Sequence, residues 1–476
     1  MGSFLRLCLF VLLGVVAALP AAAQTAPVMM LSDIHFDPFR DPGRFTQLAA
    51  APAERWEAIL SAPAAAAQQS ALDKLLAACP ARGVDTDWPL FAASLQAERA
   101  RMPHPAFITV SGDLMAHQFE CRYRALGGKP EAYAAFAAKT VAFVAGRLRQ
   151  SFPGVPLYIA LGNNDSGCGD YREDPESVFL QRSAASLGEL TGRQAAQVRH
   201  EASRLGDWSV ELPAPFSHAR LIVLQDIFAS SHYKTCANED DSTAAAEQNN
   251  WLRDQLQKAR KQKQNVWVMA HVPPGVDLYA TVAHARDVCA GQQPILFESS
   301  SAMEQTLEAF HDVIRLGVFG HTHMDEIRVI GQSPQTVVIK VVPSISPING
   351  NLPSFTVAQV ETATATLKDY AVYAAANPEG SGRWEQEYRF SESFHQPEFT
   401  AATAEPLLKG FLEDKESKSP ETLAYQQHFF SGPGGKHALL LRLAWPQYVC
   451  SVRYPEQDEF RRCACGAEAK SKSKSK

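Results

Sequence analysis

Gly317-Val318-Phe319-Gly320-His321-Thr322-His323 sets a short apolar run directly against a glycine and two histidines one residue apart. Residues 317–319 are too few for a helix and carry no polar alternation, so they read as a strand buried on both faces. The same pairing of an apolar run with a chemically active turn recurs four times upstream. Residues 28–31 precede Ser32-Asp33-Ile34-His35, and residues 107–110 precede Ser111-Gly112-Asp113. Residues 157–161 precede Gly162-Asn163-Asn164-Asp165, and residues 266–269 precede Ala270-His271-Val272-Pro273-Pro274-Gly275. Further strand-like runs lie at 221–224 and 337–342, with a later group at 355–360, 366–373 and 384–390. Helix-like stretches fall between them at 131–149, 244–263 and 301–315, and an alanine-rich helical insertion covers 41–104. Strands alternating with helices predict an α/β layered fold with helices outside the sheets.

The chain has 476 residues and 46 % hydrophobic content, enough to fill a large core, so disorder is excluded as its main state. With 45 Lys+Arg against 51 Asp+Glu, the net charge of -6 leaves no basic footprint for nucleic acid. Residues 1–23 combine one positive charge, an apolar run and Ala21-Ala22-Ala23, the pattern of a secretory signal peptide. That run is shorter than the ~20 residues of a bilayer span, so the expectation is a secreted or periplasmic protein without a stable membrane span. Of the 9 cysteines, Cys8 lies in the leader; the other eight are expected to form disulfides, with Cys450 pairing locally with Cys463 or Cys465. Near residue 395 the pattern changes to a helical, cysteine-bearing extension over 395–470, and the Ser/Lys tail 471–476 reads as solvated.

Ligands in open α/β sheets bind at the carboxyl ends of strands, which is where all five turns fall. Gathered there, Asp33, His35, Asp113, Asn163, His271, His321 and His323 offer oxygen and imidazole donors for two divalent cations if one carboxylate bridges them. An extended backbone would let Asp33 and His35, at i and i+2, grip one cation, and His321 and His323 repeat that spacing. Two ions can ionise a water and neutralise a phosphoryl group.

The order D-x-H, GD, GN, H and GHxH, running from Asp33 to His323, resembles the calcineurin-like metallophosphoesterase superfamily. The resemblance implies a four-layer αββα sandwich over residues 24–394 with a small disulfide-bearing C-terminal extension. It also implies Asp33, His35, Asp113 and His323 at one metal, and Asp113, Asn163, His271 and His321 at the other. Asp37-Pro38, His117 and His271-Val272-Pro273-Pro274-Gly275 are similar to the acid sphingomyelinase-like phosphodiesterases. In that branch the histidine matching His117 protonates the leaving oxygen. Purple acid phosphatases carry tyrosine where this chain has Ala116, which argues against a tyrosinate-iron centre.

Most of the superfamily has histidine after the motif asparagine, whereas this chain has Asn164, an amide that can hold a phosphate oxygen but cannot deliver a proton. Its GNND also resembles endopolyphosphatase-like members, so polyphosphate stands beside phosphodiesters and nucleotides as a substrate. The expected cofactors are two divalent ions, zinc first, with manganese or iron as alternatives. Only about ten residues separate Ala23 from Asp33, which leaves no room there for a lipid-extracting domain and favours soluble phosphoesters over a phospholipid headgroup. The competing reading from another class is an inactive, metal-stabilised binding protein.

Overall fold

The computed structural model describes residues 24–63 and 68–466. The expected signal peptide at 1–23 and the tail at 471–476 lie outside the described residues. Twelve strands form two sheets: β1 (Thr25–Leu31), β2 (Ile108–Ser111), β3 (Leu157–Ala160), β4 (Trp208–Glu211), β5 (Ala219–Val223), β6 (Asn265–Met269), β7 (Ile314–Phe319), β8 (Glu326–Ile330), β9 (Val337–Val341), β10 (Ser354–Glu361), β11 (Leu367–Ala375) and β12 (Trp384–Arg389). The first sheet has the order β12-β11-β10-β1-β2-β3, and the second β4-β5-β6-β7-β9-β8. The site-bearing strands run parallel, β1 to β2 to β3 in one sheet and β5 to β6 to β7 to β9 in the other.

The absence of polar alternation in these strands follows from packing on both faces. In β1, Val28 and Met30 point into the core between the sheets with Phe107, Trp267 and Val318. Met29 and Leu31, on the opposite pleat, pack with Phe91, Phe136 and Val141 from helices Trp88–Arg101 and Tyr133–Ser151. Beyond the second sheet, Ile222, Val266 and Val268 meet Leu252 and Leu256 of helix Thr243–Lys261 and Met303 and Leu307 of helix Ala302–Ala309. Helix, sheet, sheet and helix therefore stack as four layers, as the resemblance implied.

All ten expected strands form, and β4 and β8 are additional. The helix expected over 301–315 stops at Ala309 because Ile314 already begins β7. Past residue 395, Leu408, Phe411, Trp445 and Tyr448 join the same core that lies between the sheets, and Tyr425 Oη accepts the Ile327 N–H of β8 at 3.0 Å. Four disulfides link Cys79–Cys121, Cys168–Cys236, Cys289–Cys465 and Cys450–Cys463. The last is the expected local pair, and Cys289–Cys465 ties the end of the extension to the loop after β6. No helix among the described residues is long and apolar enough to cross a membrane.

Candidate metal centre

The turns after β1, β2, β3, β6 and β7 meet at one end of the sandwich. Extended geometry does not place their ligands there: Asp33, His35, Asp113, His321 and His323 have φ of 47°, 45°, 54°, 73° and 68°. The extended i, i+2 reading is thus corrected, because each of these five candidate ligands sits in a left-handed kink that turns its side chain inward. Neighbouring turns hold the kinks in place. Asp33 and His35 donate their N–H groups to Gly112 O and Asp113 O at 3.1 and 2.9 Å, and the Asp33 carboxylate accepts from His321 N at 3.1 Å. The turns approach so closely that a Cβ at Gly320 would lie 2.1 Å from Ser32 Oγ and 2.7 Å from Asp33 Oδ2.

The donors converge on two foci. At the first, His35 Nε2 lies 3.1 Å from His323 Nε2, 3.4 Å from Asp113 Oδ2 and 3.7 Å from Asp33 Oδ1. At the second, His271 Nε2 lies 3.2 Å from Asp113 Oδ2 and 3.1 Å from Asn163 Oδ1, which is also 3.0 Å from His321 Nδ1. His321 and His323 therefore serve different foci despite their spacing, and Asp113 is shared. The outward ring nitrogens are committed: His35 Nδ1 faces Met115 O at 2.9 Å, and His271 Nδ1 faces Ser111 O at 2.7 Å. Donating there leaves the Nε2 lone pairs aimed at carboxylate, amide and imidazole lone pairs.

Such a set demands positive charge. Burial opposes the charged form of His35, yet Asp113 and Asp33 outweigh it and push its pKa up to about 9. His271 goes up to about 10, against burial, through Asp113 and then Asp33. Burial, together with His271 for one and His35 for the other, drives His321 and His323 down to about 3, so they stay neutral. The negative charge that raises His35 and His271, together with two neutral imidazoles and an amide oxygen, fits a pair of divalent ions, whose binding would replace the extra ring protons.

Around this centre lie residues with supporting contacts. His117, at the rim with its side chain 30 % exposed, stacks on His35 at 4.0 Å between ring centroids. Its Nδ1 donates to the buried Asp85 carboxylate at 3.0 Å, and its backbone N–H does so at 2.9 Å. Burial raises the cost of charge on Asp85, but the His117 contact holds it well below the usual carboxylate range. Asn164 gives its backbone N–H and its side-chain Nδ2 to Asp113, both at 2.9 Å, so the contact it makes here is with the shared carboxylate. Asp165 accepts from Gly162, Leu114 and Met115, binding the turns after β2 and β3 together. Asp226 accepts from His271 and Val272 at 3.2 and 2.9 Å.

Asp85, Asp226 and Tyr171, whose hydroxyl lies 3.2 Å from His321 Nε2, escaped the sequence analysis. Asp85 sits in the helical insertion, where the only signal is the polar break Asp85-Thr86-Asp87; there Thr86 N and O pair with His35 O and Asp37 N. His232 packs its ring 5.2 Å from that of Tyr171.

Two packed mixed sheets thus carry, on their shared edge, a donor set suited to two divalent cations and to hydrolysis of a phosphoric ester. No family model matches the chain. Acid sphingomyelinase-like phosphodiesterase 3b of Mus musculus is 24 % identical over 408 residues, covering 81 % of this chain and 81 % of its own. Cyclic GMP-AMP phosphodiesterase SMPDL3A of Mus musculus is 23 % identical over 314 residues, covering 63 % of this chain and 66 % of its own. The crystal structure of a dimetal phosphatase from Danio rerio covers 73 % of this chain and 95 % of that one, at 12 % identity and a TM-score of 0.40. The chain is accordingly a homologue of the acid sphingomyelinase-like phosphodiesterases.

Proposed function

We propose that the protein is an exported phosphodiesterase acting on small soluble phosphoesters, and that His117 is its general acid. The observation that carries this reading is the Asp85–His117 pair at the rim of a complete ligand set. Asp85 fixes the imidazole with Nδ1–H inward, which leaves Nε2 to carry the proton for a departing oxygen. Asp113, held by Asn164, is the shared ligand; Asp33, His35 and His323 complete one site and Asn163, His271 and His321 the other. When bound, two divalent ions would supply an ionised water and neutralise phosphoryl charge. The imidazole-rich donor set favours zinc, with manganese or iron as alternatives. Asn164 Nδ2 donates to Asp113 and keeps a second hydrogen for a phosphoryl oxygen.

Four disulfides support an oxidising compartment and hence removal of the leader. A relative named for cyclic GMP-AMP supports nucleotide substrates, and Asn164 in place of histidine keeps polyphosphate, whose leaving group needs little protonation, as the second reading. The test is turnover of bis-p-nitrophenyl phosphate by metal-analysed protein before and after chelation, with add-back of each ion. Metal-restored turnover supports the reading. A protein that binds two ions but turns over neither this diester nor polyphosphate is instead the inactive binding protein.

A further inference from the structure

Next to the metal centre is a cavity of about 160 Å³ lined by Gln118, Phe119, Glu120, Tyr133, Asn164, Asp170 and Arg172. At ~30 Å³ per water it has room for about five waters, or one small organic group. Its place is informative: Asn164 is the wall it shares with the metal centre, and Gln118, exposed at its mouth, follows His117 directly.

The walls are held in fixed positions. Arg172 bonds Glu120, and the pair is seated against Gly169, where a Cβ would fall 2.4 Å from Arg172 Nη2 and 2.5 Å from Glu120 Oε2. The Cys168–Cys236 disulfide pins the loop that carries Asp170 and Arg172, and Asp170 is anchored by the Asn163 amide at 2.7 Å. Gln118 adopts a left-handed φ of 56°, a strained backbone for its residue type. Tyr133 is 3 % exposed, and its hydroxyl has no hydrogen-bond partner. Tyr133 is itself part of the cavity lining, together with Glu120, Arg172 and Asp170. Buried hydroxyls are seldom left unpaired without a reason, and a ligand that occupies the cavity would supply the missing partner.

Six of the seven lining residues bring hydrogen-bonding groups, and Phe119 is the one apolar member. An alkyl leaving group would strip water from them and return nothing, whereas an alcohol bearing further hydroxyls can donate to the carboxylates and accept from Tyr133 and Gln118. We propose that this cavity is the leaving-group subsite and that it takes a short polyhydroxylated alcohol of about the size of glycerol. The proposal rests on the hydrolase reading with His117 as general acid: Gln118, in the cavity lining, follows His117 directly, and Asn164, also in the lining, bonds Asp113.

The test uses methylphosphonate monoesters of glycerol and of propanol, each with one scissile ester bond and differing only in the leaving alcohol. The wild-type metal-loaded enzyme should favour the glyceryl ester by at least about tenfold in kcat/KM. Tyr133→Phe removes a hydroxyl that bonds no other residue, so folding and metal content should hold. Its glyceryl-to-propyl ratio should fall about five- to tenfold, with the loss falling on the glyceryl ester and bound metal unchanged. Gln118→Ala is the second variant, expected to move the ratio in the same direction. A wild-type ratio near one, or a ratio that neither variant changes, would show that the cavity holds water only and overturn the subsite alone. Absence of turnover on bis-p-nitrophenyl phosphate as well would overturn the hydrolase reading with it.

Discussion

Replacing His117 with alanine should separate substrates by how badly their leaving oxygen needs a proton. In the structure the imidazole stacks on His35 at 4.0 Å and bonds Asp85, while its side chain remains 30 % exposed. Deleting it leaves Asp85 with the residue-117 N–H and Ser346 Oγ, the latter at 3.1 Å, so the buried carboxylate keeps two donors. The stability cost is that of one lost partner, about 1–3 kcal/mol, too little to unfold a domain of this size. The catalytic cost is larger. General acids contribute about 10²–10⁴-fold, or about 2.7–5.4 kcal/mol of barrier, and all of it falls on oxygens too basic to leave as anions. An alkyl ester should lose that factor in kcat/KM, whereas a p-nitrophenyl ester should lose less than about threefold. The assay is steady-state turnover of both esters beside metal analysis of the variant, with His117→Gln, which retains a donor for Asp85, as a structural control. Ring nitrogens of His35, His117 and His323 approach one another within 4.8 Å, so a ligating role for His117 makes a different prediction. Equal losses on both esters accompanied by loss of bound metal would refute the proton-donor assignment and make His117 a ligand.

Three further expectations follow from other parts of the structure. Asp113→Asn should lower metal content at both foci and cost more turnover than any other single ligand change, because Asp113 Oδ2 lies within 3.4 Å of His35 Nε2 and 3.2 Å of His271 Nε2; retention of two metals with a near-normal rate would remove the shared-ligand assignment. Thiol titration of denatured, unreduced protein should find no free thiol, since the eight cysteines from Cys79 onward are paired; one thiol per chain would mark retention of Cys8 and hence of the leader. Burial pushes the Glu98 carboxyl from the ordinary 4.5 up to about 8, so its contribution to stability is complete below about pH 4.5 and lost as pH rises through about 8; Glu98→Gln should raise Tm at pH 9 and leave it unchanged at pH 4, and an equal shift at both would refute the assignment.

How much of this was legible in the sequence depended on range. The strands could be read because each is buried on two faces, which leaves an apolar run with no alternation, and the ligands because each follows such a run within a few residues. β4 was missed since Trp208-Ser209-Val210-Glu211 alternates and is too short to stand out. In β8 the buried Glu326 and Arg328 bond each other at 3.0 Å, and this pairing masks an interior strand behind charged residues. At the site, Asp85 could not be found because its partner is 32 residues away and its role arises only where the insertion folds back over the β1 turn. The role of Asn164 was open to reading by residue type but not by direction. Only the structure shows its amide turned to Asp113.

The left-handed ligands explain why those long-range contacts are needed. Each non-glycine residue in that region costs roughly 1–2 kcal/mol, and five such residues together rival a domain's net stability of about 5–15 kcal/mol. Metal binding could offset the strain, but the structure assigns the restraint to the protein. The β1 turn is fixed by Gly112 O and Asp113 O, and Ile345 and Ser346 donate back to Ser32 O and Asp33 O. The β7 turn is fixed by the Asp33 carboxylate and by Ser344 N on His323 O. The β2 turn is fixed by Asp165, whose two oxygens take three backbone N–H groups. Apart from the Gly162–Asp165 bond within the β3 turn, these restraints join turns from different strands, so the kinks support one another. Contacts within the protein therefore help to hold the donors at binding distance, which lessens the reorganisation that metal binding would have to drive. The same interlock explains why glycine precedes Asp113 and His321: Gly112 has φ +94°, and a Cβ there would lie 2.5 Å from His271 Nδ1, inside the ring whose lone pair the second focus requires.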